Sequence, residues 1–270
     1  MVSRGVYGVG GVGNDYLPRE TFMRIITWNC NGALRKKTAA LDALDVDVLI
    51  IQECENPAES TEAYNAWAGD YLWSGTSRHK GIGVFPKKGA NLRRLDWAGC
   101  FSIQGMRSSS EALSWRTEDL HLFLPFSVND SLQVLAVWTK GGRDESFSYM
   151  GQFWKYLQIH RDQLSQNATL IAGDFNSNAC WDKSDRWWNH SDVVDELRAI
   201  GVESLYHRQY AEAQGSESRP TFYHRKNPEQ PYHIDYIFAS KDLLPACKLR
   251  VGVAEEWLAM SDHMPMILTL

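Results

Sequence analysis

The chain has 270 residues, 44% of them hydrophobic and 23% charged, the balance of a globular protein with one large domain or two small ones. Its formal net charge of −5 argues against a protein that coats nucleic acid by charge alone, though not against an enzyme that meets phosphate through a bound cation. Five scattered cysteines without a C-x-x-C pair argue against a disulfide framework or a zinc site and suit a reducing cytoplasm.

No apolar run reaches the ~18 residues of a membrane span, so no stable membrane association is expected. Residues 1–22 are glycine-rich and lack an apolar core, which predicts a flexible leader and not a secretory signal. Met23, directly before the first strand, is a candidate start, and residues 23–270 read as one catalytic domain.

From Arg24 strands and helices alternate. RIITW (24–28) is a β-branched strand, and Leu34, Leu41 and Leu44 fall on one side of a helix predicted over 34–44. DVLIIQ (47–52) is apolar almost throughout, as in a strand covered on both faces. Shorter strands are expected at 70–74 and 81–86. LHLFLPF (120–126) and LQVLAVW (132–138) flank the polar SVNDS, a hairpin pattern.

An amphipathic helix follows over 147–164, with Met150, Phe153, Trp154 and Leu157 on one face. TLIAGDF (169–175) is another buried strand. SDVVDELRAIG (191–201) is a helix with Ser191 as N-cap and Gly201 as its stop. HIDYIFAS, KLRVGV and PMILTL complete a mixed α/β pattern with a partly antiparallel sheet.

Polar residues cluster at the ends of these strands, where a rigid scaffold delivers side chains to a site. The clusters are Trp28-Asn29-Cys30-Asn31-Gly32, Gln52-Glu53, Gly173-Asp174-Phe175-Asn176-Ser177-Asn178 and Ser261-Asp262-His263. Alone, each reads as a turn or a solvated strand end. Asp235, between Ile234 and Tyr236, should be buried and in need of a partner, and a histidine is a natural one.

Together, in this order across residues 28–263, the motifs resemble the endonuclease/exonuclease/phosphatase superfamily, whose pattern runs N-x-N/D-G, Q-E, G-D-x-N, a D-Y/L strand and S-D-H. The N-x-N-G form is similar to the exonuclease-III-like branch. The resemblance implies a four-layered α/β/β/α sandwich, two mixed sheets packed face to face with helices outside. It also implies hydrolysis of a phosphoester with Mg²⁺ or Mn²⁺. Glu53, Asp262 and Asn31 would offer the hard oxygen ligands such ions prefer. Asp174 would orient or deprotonate water, Asn29 and Asn176 would donate to the phosphate, and His263, held by Asp235, would meet a phosphoryl oxygen or move a proton.

One stretch departs from the pattern. Where many relatives carry a Tyr or His before the long helix, this chain has Trp138, which cannot accept or relay a proton; Lys140 and Tyr149 are the candidates to replace it.

The loop Ser177–His190 carries Trp181, Trp187 and Trp188. Trp181 is placed for stacking on bases, while Trp187 and Trp188 are expected to pack under the loop. Asn178, Trp181, Lys140 and His233 complete the expected substrate contacts, with Arg219, His224 and Arg225 as further basic neighbours. The N-x-N-G motif and the Trp-rich loop favour a nuclease acting on DNA or RNA. The alternatives are a phosphatase or phosphodiesterase for small-molecule or lipid-headgroup phosphates, and a noncatalytic binding module on the same fold. The module is disfavoured because no ionisable position of the motif set is missing.

Overall fold

The structure is a computed structural model that describes residues 22–104, 113–141 and 147–270. The leader expected at 1–22 therefore lies, apart from Phe22, outside the described residues.

Two six-stranded sheets form the centre. The first contains β1 (Arg24–Asn29), β2 (Val48–Cys54), β3 (Leu72–Ser77), β4 (Lys80–Pro86), β15 (Lys248–Val251) and β16 (Met266–Thr269), in the order β15-β16-β1-β2-β4-β3. The second contains β5 (Leu92–Arg94), β8 (Phe123–Val128), β9 (Leu132–Trp138), β10 (Thr169–Asp174), β11 (Val202–Ser204) and β14 (Asp235–Ser240), ordered β11-β14-β10-β9-β8-β5. Two short ribbons, β6 (Cys100–Ser102) with β7 (Ser114–Arg116) and β12 (Phe222–Tyr223) with β13 (Pro231–Tyr232), lie outside them.

Each large sheet is centred on one parallel pair, β1 with β2 and β9 with β10, and every other ladder among the described residues is antiparallel. Parallel neighbours need a crossover. Here α1 (Thr38–Asp42) lies in the first crossover and α3 (Met150–Leu164) in the second. The other helices are α2 (Glu62–Ala68), α4 (His190–Ala199), α5 (Leu205–Tyr210) and α6 (Ala254–Trp257). No helix among the described residues is long and apolar enough to cross a membrane.

The central strands of the second sheet alternate between two cores, as a period of two requires. Val134, Ala136 and Trp138 of β9, Leu170 and Ala172 of β10, and Ile237 and Ala239 of β14 join the core shared with the first sheet. Leu135, Val137, Ile171, Tyr236 and Phe238 point the other way, onto Phe153, Leu157, Val193 and Leu197 of α3 and α4. The result is the expected sandwich of two sheets with helices outside.

Two local expectations change. The helix over 34–44 is broken into a 3₁₀ turn, Leu34–Lys36, and the short α1. Lys37, at φ −124° and ψ 1°, leaves the helical region, and its ammonium donates to the Cys30 and Gly32 carbonyls. The Glu55 carboxylate meanwhile accepts from the Leu34 amide at 2.8 Å and fixes where the turn begins. The second change is at α4, which starts at His190; Asn189, not Ser191, is its N-cap, in a reciprocal capping box with Asp192.

Gly173 is the tightest point of the second sheet. A Cβ there would lie 1.9 Å from the Val137 carbonyl oxygen of the neighbouring strand, at φ +154°. Gly173→Ala should therefore force β9 and β10 apart and lower stability by roughly 3 kcal/mol, the upper end of overpacking costs. Urea unfolding of the variant checks this; a loss below roughly 1 kcal/mol would mean that the strands yield easily.

Candidate active site

The sheet topology brings the polar strand ends together. In the parallel β1–β2 ladder Asn29 stands beside Gln52. One residue further, Glu53 occupies an irregularity between Gln52 and Cys54 at φ 62°, which turns its carboxylate out of the ladder. In the antiparallel β10–β14 ladder Asp174 is the register partner of Asp235. Both continue the parity of Ala172 and Ile237, so both face the layer between the sheets. The Ser261-Asp262-His263 segment arrives just before β16, which pairs with β1.

Asn29 joins these groups. Its side-chain amide donates to Asp174 Oδ2 at 2.8 Å and to Glu53 Oε1 at 3.3 Å, while its Oδ1 accepts from the Asn31 amide at 2.9 Å. Asp174 also accepts from the Asn176 backbone and side chain, both at 2.9 Å; Asn176 Nδ2 donates in addition to the Thr139 carbonyl. His263 is fixed from behind by Asp235, Nδ1 to Oδ2 at 2.9 Å, which leaves Nε2 4.0 Å from Asp174 Oδ2. That gap is longer than a hydrogen bond.

Asp174 and Asp235 are almost completely buried and His263 is 5% exposed. Burial pushes the Asp174 carboxyl up to about 7; His263 opposes the shift and Asp235 adds to it. Burial alone would lower the His263 pKa, but the carboxylates of Asp235 and Asp174 outweigh it and bring the imidazole up to about 9. Asp174, Asp235 and His263 offer atoms within 4.8 Å of one another, an arrangement that could hold an ion. Their contacts are already committed to each other and to the asparagines.

The accessible carboxylates are Glu53 and Asp262, both half-buried. Glu53 Oε2 already attracts a cation, the Lys80 ammonium. Among the described residues the Asp262 carboxylate has only the Ser261 hydroxyl, at 3.5 Å. Two carboxylates with the nearby Asn31, which is exposed, make an all-oxygen donor set of the kind that fits Mg²⁺ or Mn²⁺.

Not every expected substrate contact reaches this site. Asn178 is 4% exposed, and its amide is spent on Glu217, the His233 carbonyl and Tyr236 while its Oδ1 caps Cys180, so it is a structural tie. His233 is also buried, its Nδ1 at 2.7 Å from the Arg219 carbonyl and its ring against Tyr206, which removes it from the surface. Lys140 is exposed, with its ammonium 4.1 Å above the Trp138 ring. Trp138 itself packs in the core between the sheets. Trp181 is exposed as expected. Trp188 is half-buried and stacks on Phe147 at 4.4 Å, but Trp187 is 54% exposed and not packed under its loop.

Several further groups position the site. The Ser261 hydroxyl donates to the Asn29 carbonyl at 2.7 Å and accepts from the His263 amide, and Trp28 Nε1 donates to the His263 carbonyl at 2.9 Å. Buried Thr221 accepts from the amides of Ile234 and Asp235 through its Oγ1. Ser261 lies inside the S-D-H triplet and Lys80 in the basic run Arg78-His79-Lys80, whereas Thr221 had no local signal.

Fold and site together define a two-sheet sandwich with a carboxylate–histidine–asparagine centre where strand ends of the two sheets meet. A model of the Endonuclease/Exonuclease/phosphatase family matches residues 26–263, and the chain belongs to that family. No curated protein matches the sequence. Among solved structures, the chain is similar to the 3′-5′ exonuclease NExo from Neisseria meningitidis, with TM-score 0.65, 18% identity, and coverage of 91% of this chain and 98% of that one. A structure of a variant of the 3′ phosphatase NExo from Neisseria, bound to a product DNA hairpin, is similar at TM-score 0.64 with the same identity and coverage. An AP endonuclease from Archaeoglobus fulgidus follows at TM-score 0.60, 18% identity, and coverage of 91% and 98%.

The Asp235–His263 contact has a measurable consequence. Its folded-state imidazole value of about 9 lies above the ~6.5 of an unfolded histidine. The pair's contribution to stability is then complete below about pH 6.5 and fades as pH rises through about 9. Asp235→Asn should bring the His263 titration down towards 6.5 in the metal-free protein. Histidine NMR titration of both proteins measures it, and identical His263 curves would dissolve the pair.

Proposed function

We propose that the protein is a divalent-metal-dependent hydrolase that cleaves phosphodiester bonds in nucleic acid, with its centre at Asp174, His263, Asp235, Asn29 and Asn176. The observation that supports this most is the hydrogen-bonded unit in which Asn29 spans Asp174 and Glu53 while Asp235 holds His263 with Nε2 free of Asp174. The family supports phosphoester hydrolysis. Nucleic acid as substrate is supported by the names of the structural relatives and by the exposed Trp181 beside the centre. Residues 23–270 act as one catalytic domain, and five free cysteines suit a cytoplasmic setting.

In this mechanism Asp174, oriented by three donations from Asn29 and Asn176, takes the proton of a water whose oxygen attacks phosphorus. The phosphorus–oxygen bond to the leaving group breaks on the opposite side. His263 is cationic at neutral pH and directs its Nε2–H at a phosphoryl oxygen; Asp235 fixes the tautomer and balances the charge. Asn176 lines the opening, while Asn29, 1% exposed and bonded to Asp174 and Glu53, acts through those carboxylates. Glu53, Asp262 and Asn31 would hold Mg²⁺ or Mn²⁺, which when bound supplies positive charge against the phosphoryl oxygens.

Activity should disappear in excess EDTA and return with Mg²⁺ or Mn²⁺. A panel of plasmid, abasic duplex, single-stranded DNA, RNA and 3′-phosphate ends, assayed both ways, tests this together with the substrate class. Full turnover in chelator would remove the metal from the mechanism, and cleavage of none of these would remove nucleic acid.

Glu53→Gln should weaken Mg²⁺ binding by at least roughly tenfold. Its folding stability should change little, because the side chain sits at the rim and its ion pair with Lys80 is half-exposed. Calorimetric metal titration decides it, an unchanged dissociation constant meaning that Glu53 is not a ligand.

A further inference from the structure

Next to the catalytic cluster, and sharing Asn176 with it, lies a cavity of about 520 Å³ that the mechanism does not use. This is within the roughly 300–1,000 Å³ of small-ligand clefts. One wall comes from the start of α3, with Tyr149 and Gly151; the other comes from the segment after the G-D-F-N motif, with Trp181, Lys183, Arg186 and Trp188.

The aromatic groups are held open from behind. Tyr149 is 47% exposed and sits at φ 53° and ψ −115°, a backbone conformation that non-glycine residues rarely adopt. Its amide donates to the Lys140 carbonyl at 3.0 Å, and its hydroxyl occupies space next to Gly141, 3.1 Å from where a Cβ there would fall. Gly151 plays the same part for Trp188, since a Cβ on it would stand 3.0 Å from Trp188 Cδ1. Trp181 rests against Tyr232, with ring centroids 5.2 Å apart, and is 45% exposed.

The segment's polar groups divide by charge. Asp182 is consumed, accepting from the His190 and Ser191 amides at 2.9 and 3.1 Å, and Asn189 ties down Lys183 and Arg186 through their backbone atoms. The side chains of Lys183 and Arg186 are exposed, with no carboxylate within 4.0 Å among the described residues. Two cations without an ion-pair partner line the cavity beside supported aromatic faces, while Asp185, between them in sequence, does not line it; this matches an anion that carries a flat ring.

We propose that this cavity seats an unpaired nucleotide adjoining the scissile phosphate, its base against Tyr149 and Trp181 and its own phosphate on Lys183 and Arg186. The proposal rests on the phosphodiesterase reading above and narrows it to single-stranded or frayed nucleic acid, because a base inside a cavity has left its duplex stack.

Fluorescence anisotropy in EDTA, which keeps strands intact, tests it with two labelled probes: a short oligothymidylate and an abasic strand of equal length. The wild-type protein should bind the oligothymidylate roughly tenfold more tightly. Tyr149→Ala should erase that preference while leaving the abasic strand's affinity unchanged, and Tyr149→Phe should retain it. The double variant Lys183→Ala/Arg186→Ala should lose roughly tenfold on both probes and show a shallower salt dependence. Equal affinity for the two probes, or a preference that survives Tyr149→Ala, overturns the cavity's role; so does unaltered binding by the double variant. The underlying reading fails separately, if wild-type protein with Mg²⁺ or Mn²⁺ cuts neither probe nor bis-p-nitrophenyl phosphate.

Discussion

The Asn29 carboxamide is the point on which the site is built. Two sheets with separate hydrogen-bond ladders have no backbone reason to align their ends. Asn29 supplies one, because the same NH₂ reaches Glu53 of its own sheet and Asp174 of the opposite one. Its Oδ1 shapes the following turn, and its backbone carbonyl receives Ser261, which in turn holds the His263 amide. A shorter side chain could not span the carboxylates, and a carboxylate there would add a further like charge with no proton to give.

Charge explains why the cluster is arranged in two tiers. Asp174 and Asp235 lie where water does not stabilise an anion, so each has donors or a cation: two asparagines for the first, the imidazole for the second. Glu53 and Asp262 lie further out, where an ion from solvent can reach them, and Lys80 already neutralises one. The centre therefore sets four carboxylates, Asp174, Asp235, Glu53 and Asp262, against two cationic groups, His263 and Lys80.

Much of this could be read from the chain because it follows short-range rules. Parity along TLIAGD and HIDYIFAS predicts which side chains face the inner layer, and strand ends predict where polar residues gather. What stayed hidden depends on partners distant in sequence. Lys80 pairs with Glu53 through a neighbouring strand. Asn178 and His233 look like surface polar residues, yet Glu217 and Tyr236 enclose them. The break at Lys37 arises from carbonyls offered by the preceding turn and a carboxylate on another strand. Trp187 has the composition of a covered residue, but Trp188 and Phe147 pair with each other and leave it outside.

The pairing of β1 with β16 also sets the order in which the cluster can be assembled. Trp28 and His263 are bonded across 235 residues, so the strand that begins the sheet waits for the one that ends it. Contacts of such separation carry the largest loop-closure cost and form late. During synthesis the carboxylates of β2 and β10 emerge well before the imidazole, and a chain interrupted ahead of Ser261 holds acids without their histidine. The carboxylate–histidine cluster is thus complete only once the last strand of the sheet has been made.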